Sequence, residues 1–274
     1  MMEFKTEMLT DALTRIIFLN TESAYLLVGT QRAALIDTGS GFKRLKPVVD
    51  ALTDLPVTTL LTHGHTDHAM GAAEFEDVHM NPLDRDVFNV HGAAPFRWKS
   101  MEMSPSFSRL KQEDMIPTAD SGAFHPLADG DLFQLGGQSV EILACPGHTL
   151  GSVCMLLLEQ RLLLLGDACN GLTFLFDDFS TGVASYRDSL YRLKDRTEGR
   201  YDGVLLSHTG GQPYADMVES NIAVCDDILC GRSDEQPFNF MGHKALIAKA
   251  FSFEHGRLDG GHANIVYSPQ TKER

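Results

Sequence analysis

The fold of this chain is decided by the stretch Thr62-His63-Gly64-His65-Thr66-Asp67-His68. It sets three histidines and one aspartate within six residues, directly after the apolar and β-branched run 57–61. Four coordinating side chains packed this closely are costly to bury unless they are paired or bound to a metal. The pattern therefore predicts a metal site where a strand ends, in a loop of the kind that usually carries chemistry.

The composition limits the partners of the chain. It has 274 residues, 43% of them hydrophobic, which is enough for one large core or two smaller ones. Lys and Arg number 23 against 37 Asp and Glu, for a net charge of −14. Nucleic-acid binding usually needs a basic stripe, and anionic lipid attracts basic segments. We therefore expect a small-molecule substrate and neither a nucleic-acid nor a membrane partner, and we leave a homodimer open.

Three features of the sequence predict a cytoplasmic location. The N-terminal residues 1–5 do not open a long apolar run of the signal-peptide kind. The longest apolar run, 153–158, is far too short to span a bilayer. The five cysteines are odd in number and form no CxxC pattern, which favours a reduced protein.

Strand-like and helix-like patterns alternate along the chain. Short apolar runs predict strands at 23–29, 33–36, 57–62, 131–135, 139–144, 153–158, 162–166, 203–207 and 263–267. Helical spacing predicts helices at 43–52, 67–75, 181–194 and 214–229. Gly136-Gly137 predicts a hairpin turn. Because no linker is evident, we expect a single domain over residues 1–274, with helices outside and sheets inside.

The segment 84–126 differs from the rest. It mixes Phe, Met and Trp with charges and prolines and shows no clean period. Two interpretations stay open: a lid or pocket wall over the site, or a helical insertion packed on the body. His91 lies in this segment. Among the histidines outside the predicted ligand set, it is the one for which a role at the metal site is best motivated.

Three more polar residues stand where predicted strands end, namely His148, Asp167 and His208. Together with the opening stretch they form one candidate ligand set. Its members are His63, His65, Asp67, His68, His148, Asp167 and His208. Imidazole nitrogen and carboxylate oxygen suit zinc, and also iron or manganese. One ion would not use seven protein ligands and keep an open position, whereas two ions could take three each and share a carboxylate.

At this point the sequence resembles the metallo-β-lactamase superfamily. The resemblance rests on His63-x-His65-x-Asp67-His68, Pro146-Gly147-His148-Thr149, Gly166-Asp167, Ser207-His208 and the acidic turn Asp37-Thr38-Gly39. These motifs occur in family order from about residue 20 to 210, and Ile265-Val266-Tyr267 resembles the closing strand. The resemblance implies an α+β fold, a four-layer αβ/βα sandwich with a dinuclear metal site at one edge.

The resemblance also implies roles for the seven residues. One ion is expected on His63, His65 and His148, a second on Asp67, His68 and His208, and Asp167 bridges them. The expected cofactors are two divalent ions, with zinc favoured and iron or manganese open. Asp37 is interpreted as orienting a metal-bound histidine or holding its turn rather than binding metal. Cys169, two residues past Asp167, is expected to approach the site.

The predicted reaction is hydrolysis. Zinc lowers the pKa of bound water towards 7, so a hydroxide bridging two ions can attack a carbonyl or phosphoryl centre. Asp67 is the predicted catalytic residue, steering the nucleophile or accepting its proton. Within the resemblance, Asp167 argues against a true β-lactamase and the acidic charge against a nuclease. The predicted substrate is a small-molecule ester, lactone or thioester. A phosphodiesterase, or a mononuclear iron oxidoreductase of the sulfur dioxygenase type, is the alternative.

Overall fold

The computed structural model describes residues 4–18, 22–104, 106–176, 178–208, 214–240, 242–252 and 254–272. The described residues form two compact units. The first unit takes the described residues of Met1–Ile142, Leu157–Gln160 and Ser207–Thr209. The second takes those of Leu143–Leu156, Arg161–Leu206 and Gly210–Arg274. The single domain over residues 1–274 stays a prediction.

The first unit contains a seven-stranded sheet whose spatial order follows the chain. Its strands are β1 (Lys5–Met8), β2 (Leu13–Ile17), β3 (Ser23–Val28), β4 (Ala33–Ile36), β5 (Val57–Leu60), β6 (Asp77–Met80) and β7 (His125–Pro126). Strands β1 to β4 pair antiparallel, and β4 to β7 pair parallel. Since the carboxyl ends of β4 and β5 share one edge, the residues that follow them meet there.

The helices of the first unit are short. They are α1 (Lys46–Asp50), α2 (Thr66–Ala69), α3 (Arg85–His91) and α4 (Ala94–Ser100). The helix predicted over 67–75 is instead α2 followed by a 3₁₀ turn at Ala72–Glu74. The segment 84–126 is largely helical, with α3, α4 and several 3₁₀ turns. Two of its aromatic residues, Trp98 and Phe107, pack on a small buried cluster that includes Phe42 and Met101.

A two-strand hairpin follows the sheet. β8 (Leu132–Gln134) and β9 (Ser139–Ala144) pair antiparallel, with Gln134 opposite Ser139. Gly136 and Gly137 make the turn with φ values of 85° and 77°. Two successive left-handed residues match the twist of a hairpin, and only glycine adopts that conformation readily. The predicted turn is confirmed.

The remaining strands are β10 (Val153–Leu157), β11 (Leu162–Leu164), β12 (Thr173–Leu175), β13 (Gly203–Leu205), β14 (Gln236–Phe240), β15 (His243–Ile247), β16 (Phe251–Ser252), β17 (Gly256–Arg257) and β18 (Ile265–Tyr267). In the second unit β11 and β13 pair parallel. Strands β12, β18, β15 and β14 form a four-stranded sheet in that order. Sequence patterns missed β14 and β15, because these strands mix polar and aromatic residues and are partly exposed.

Two long helices complete the second unit, α5 (Val183–Thr197) and α6 (Met217–Leu229). They lie against each other and are joined by ion pairs, of which Arg187–Asp226 is 3.1 Å long. Phe174 and Phe176 are partly buried and pack on a buried cluster that includes Ile247 and Val266. None of the described helices is both long and apolar enough to cross a membrane.

Candidate metal centre

The predicted metal loop lies between β5 and α2. Helix α2 begins at Thr66, with His65 as its extended N-cap residue. The main-chain N–H of Gly64 donates to Oδ2 of Asp84 at 2.8 Å. A Cβ atom on Gly64 would stand 2.8 Å from the carbonyl oxygen of Asp84 and 2.9 Å from Val87. Because only glycine fits there, the loop can pass closely under α3 while presenting a histidine on each side of Gly64.

Three donors converge beside this loop: Asp67 and His68 on α2, and His208. Main-chain pairing with Glu22 and Ser23 at the start of β3 holds His208 and its neighbour Ser207. Nε2 of His68 lies 3.3 Å from Nε2 of His208 and 3.7 Å from Oδ2 of Asp67. Nε2 of His208 lies 3.5 Å from the same carboxylate oxygen.

These separations fit a divalent ion. Zinc binds nitrogen and oxygen at roughly 2.0–2.2 Å in tetrahedral geometry, which places neighbouring donor atoms about 3.3–3.6 Å apart. The three observed distances, 3.3, 3.5 and 3.7 Å, lie at or near that range. Two imidazoles and one carboxylate are also the donor types that zinc, iron and manganese accept. Asp67, His68 and His208 therefore suit one metal ion.

Asp37 fixes one of these donors. Its Oδ2 atom lies 2.9 Å from Nδ1 of His68, and its Oδ1 atom accepts from the main-chain N–H of Thr62 at 2.8 Å. The carboxylate is buried, and its residue has a left-handed φ of 63°. Holding Nδ1 leaves Nε2 of His68 facing the other donors, as carboxylates do for metal-bound histidines. The predicted orienting role of Asp37 agrees with this contact.

His63 and His65 lie next to this set. The ring of His63 is 4.1 Å from that of His68 and 4.8 Å from that of His65, measured between centroids. Thr62 Oγ1 lies 3.0 Å from Nδ1 of His63. His91 stacks on His65 at 4.6 Å and 14°. The structure thus brings His91 next to the predicted site, a placement that the sequence alone left open.

In the second unit the structure brings His148 and Asp167 together. Nε2 of His148 lies 3.8 Å from Oδ2 of Asp167, and Nδ1 of His148 lies 2.9 Å from the carbonyl oxygen of Phe174. A Cβ atom on Gly147 would stand 2.2 Å from the ring of Tyr186, so glycine is required before His148. The Nδ1 contact orients the imidazole with Nε2 towards the carboxylate.

Cys169 has packing partners of its own. Its Sγ atom contacts the carbonyl oxygen of Met217 at 3.5 Å and Nδ2 of Asn221 at 3.2 Å. Complete burial raises the pKa of the Cys169 thiol well above its ordinary value. Its nearest described partners are therefore the main chain of Met217 and the side chain of Asn221.

Sequence reasoning missed Glu22. This residue stands immediately before β3 and is only 2% exposed. Burial away from water, and next the negative charge of Asp67, raise the pKa of its carboxyl to about 7. The available signal was a glutamate directly before an apolar strand, which is an unfavourable place for a charge without a partner.

Comparisons with known proteins agree with this geometry. The model of the metallo-beta-lactamase superfamily matches residues 19–208. The acyl-coenzyme A thioesterase MBLAC2 of Gallus gallus is 24% identical over 203 residues, covering 69% of this chain and 73% of that protein. The hydroxyacylglutathione hydrolase GloC of Haemophilus influenzae is 30% identical over 175 residues, covering 60% of this chain and 76% of that protein. Of several further relatives the chain spans only 55% to 58%.

Solved structures give the fold. The metallo-beta-lactamase from Pontibacter korlensis superposes with a TM-score of 0.59 at 17% identity, covering 82% of this chain and all of that one. At this identity the likeness concerns the fold alone. The predicted α+β class, a four-layer αβ/βα sandwich of the metallo-β-lactamase type, is confirmed.

Proposed function

The chain belongs to the metallo-beta-lactamase superfamily and is a metal-dependent hydrolase, and within that class we propose that it cleaves small-molecule thioesters. The observation that carries the hydrolytic site is the donor set of Asp67, His68 and His208, whose spacing suits one divalent ion. Two relatives support the bond type. One is an acyl-coenzyme A thioesterase and the other a hydroxyacylglutathione hydrolase, and both substrates are acyl groups on a thiol.

We further propose that the centre is dinuclear and holds zinc. In this assignment one ion is bound by Asp67, His68 and His208, and the other by His63, His65 and His148, with Asp167 as the shared carboxylate. The support is the order of the motifs and the chemistry of the donors, since each histidine and carboxylate is of a type that zinc accepts. Iron or manganese would bind the same donor types.

A bound divalent ion would supply the nucleophile by lowering the pKa of a coordinated water towards 7. The residues of the chain position that chemistry. Asp37 holds the His68 ring through Nδ1, so Nε2 of His68 stays aligned with the Asp67 carboxylate. Asp67 is about one-third exposed, so it can contact both an entering substrate and the attacking water. We propose Asp67 as the residue that orients this water and accepts its proton.

The substrate proposal is tested with a panel of compounds on the metal-loaded protein. The panel contains an acyl-coenzyme A, a hydroxyacylglutathione, a neutral thioester, a lactone, a phosphodiester and a β-lactam. We expect the highest kcat/KM for a thioester, and a clear preference for the phosphodiester would replace the proposal with the phosphodiesterase alternative. The neutral thioester separates a preference for the thioester bond from an effect of substrate charge. Such an effect is expected because the chain carries a net charge of −14.

Metal analysis tests the dinuclear proposal separately. We expect close to two equivalents of zinc per chain, and loss of hydrolysis when a chelator removes them. One iron per chain together with oxygen uptake would instead identify the sulfur dioxygenase type of oxidoreductase. We also propose a cytoplasmic location, which cell fractionation tests, and a homodimer, which size-exclusion chromatography tests. We further propose that the chain has no nucleic-acid or membrane partner, which binding assays test.

A further inference from the structure

Glu22 is a buried carboxyl group that the proposed reaction does not use. Its main chain forms an antiparallel bridge with His208, and the adjacent Ser23 N–H donates to the carbonyl oxygen of Ser207 at 2.7 Å. The residue is 2% exposed. The backbone pairing fixes Glu22 beside His208, one of the three donors of the candidate ion site.

The described residues compensate the carboxyl of Glu22 only in part, through a hydrogen bond to its own main chain and the nearby imidazoles of His208 and His68. No described donor reaches its Oε2 atom, which is buried. Among the described residues no lysine or arginine forms an ion pair with it, and the charged groups close enough to act on it are Asp67, His208 and His68. A buried carboxylate without a counter-charge is unfavourable, and a second carboxylate nearby makes it more so.

A divalent cation would resolve both problems together. It would attract the carboxylates of Asp67 and Glu22 at once, and in a poorly solvated site this attraction is strong. Glu22 belongs to no group of described donors that lie within 4.8 Å of one another, so it is not placed to bind the ion directly. Its main chain pairs with that of His208, so it lies next to one candidate ligand and outside the donor set. Carboxylates around a metal site can strengthen metal binding without touching the ion.

We propose that Glu22 is a positioning residue for the ion at Asp67, His68 and His208. From outside the coordination shell, its carboxylate stabilises the charge of that ion and its main chain holds the His208 ligand in place. The inference deepens the proposed function and rests on its ion site at Asp67, His68 and His208. It assigns Glu22 to the strength of metal binding and leaves the attacking group and the substrate unchanged.

The test is a metal titration of Glu22→Gln, which keeps the size of the side chain and removes its charge. Zn²⁺ is added to metal-free protein in competition with a chelating dye, and two dissociation constants are fitted. We expect one of the two equivalents to lose about 10- to 100-fold in affinity, with the other unchanged. Glu22→Asp, which restores the charge on a shorter side chain, should recover part of the loss. Exposed Glu76→Gln is the matched control and should bind as the wild type does.

Each outcome decides the inference. Equal zinc affinities in Glu22→Gln, Glu76→Gln and the wild type would overturn it, as would an equal loss for both ions. If Glu22→Gln does not fold, as judged by circular dichroism, Glu22→Ala, which also removes the charge, is titrated in its place, and wild-type affinity in that variant overturns the inference. A weakened second ion in a protein that cleaves no thioester would sink the substrate proposal alone. Thioester cleavage with unchanged zinc affinity would sink the role of Glu22 alone.

Discussion

Oδ2 of Asp37 lies 2.9 Å from Nδ1 of His68, although the two are 31 positions apart in the chain. Asp37 follows β4 and His68 follows β5, and the parallel pairing of these strands brings their ends together. The contact turns the other nitrogen of His68 towards Asp67 and His208. One carboxylate thus joins the sheet to the candidate metal donors.

Asp37→Asn should weaken metal binding without unfolding the protein. Asparagine tolerates the left-handed backbone found at this position and can still accept from Thr62, but it lacks the charge that strengthens His68 as a ligand. We expect about a 10- to 100-fold loss in affinity for one zinc equivalent, measured by competition with a chelating dye. Asp50→Asn, at an exposed site on α1, serves as control. Unchanged affinity in Asp37→Asn would refute the orienting role.

Asp167→Ala should lose metal and activity together. The proposed bridging carboxylate contributes to both ions, so its removal leaves each with one ligand fewer. We expect fewer than two zinc equivalents after dialysis and a loss of hydrolysis of at least about 100-fold. Exposed Asp195→Ala on α5 removes the same charge and should retain both properties. Full zinc content in active Asp167→Ala would disprove the bridging assignment.

Arg97→Met should destabilise the first unit. The guanidinium is buried and donates to the carbonyl oxygens of Ile116, Ser40 and Gly41 at 2.6, 3.1 and 3.0 Å. Burial lowers the pKa of Arg97 to about 10, so the group remains charged at neutral pH. Methionine would remove the donor to the carbonyl oxygens of Ile116 and Ser40, at a cost of about 3 kcal/mol, whereas that of Gly41 still accepts from the main-chain N–H of Ile116.

Urea denaturation of the metal-free protein measures this change in the free energy of unfolding. Arg109→Met, at an exposed arginine of the same segment, is the control and should change it by less than about 0.5 kcal/mol. An equally small change in Arg97→Met would show that water replaces the guanidinium without cost.

The stability of the metal-free protein should fall as the pH rises from about 4.5 to 7. Burial, and next the charge of Asp67, raise the pKa of Glu22 from 4.5 to about 7 in the folded state. The unfolded chain therefore releases this proton first, which favours unfolding until the folded state has also ionised near pH 7. The difference corresponds to about 3 kcal/mol.

Urea denaturation at pH 5 and pH 8, in the presence of a chelator, tests this dependence. Glu22→Gln cannot ionise, so it should lose less stability than the wild type between the two pH values. An identical fall in both proteins would mean that other groups carry the pH dependence.

Local spacing made much of the site predictable. The candidate ligands His63, His65, Asp67 and His68 lie within one short stretch, so their types and order point to a metal without knowledge of any distant contact. The buried strands β3 and β4 were equally visible, because strands covered on both faces consist of continuous apolar residues. Strands β14 and β15 lacked that signal, since partly exposed strands tolerate polar residues.

By itself, therefore, the sequence determined which residues are candidate metal ligands and where several of the buried strands run, although it did not predict β2 or β12. Only the tertiary structure decided which outer groups support those ligands. Glu22 meets His208 across 186 residues, and His91 stacks on His65 through the placement of α3. Neither contact leaves a local pattern in the sequence, because each depends on how elements far apart in the chain pack together when it folds.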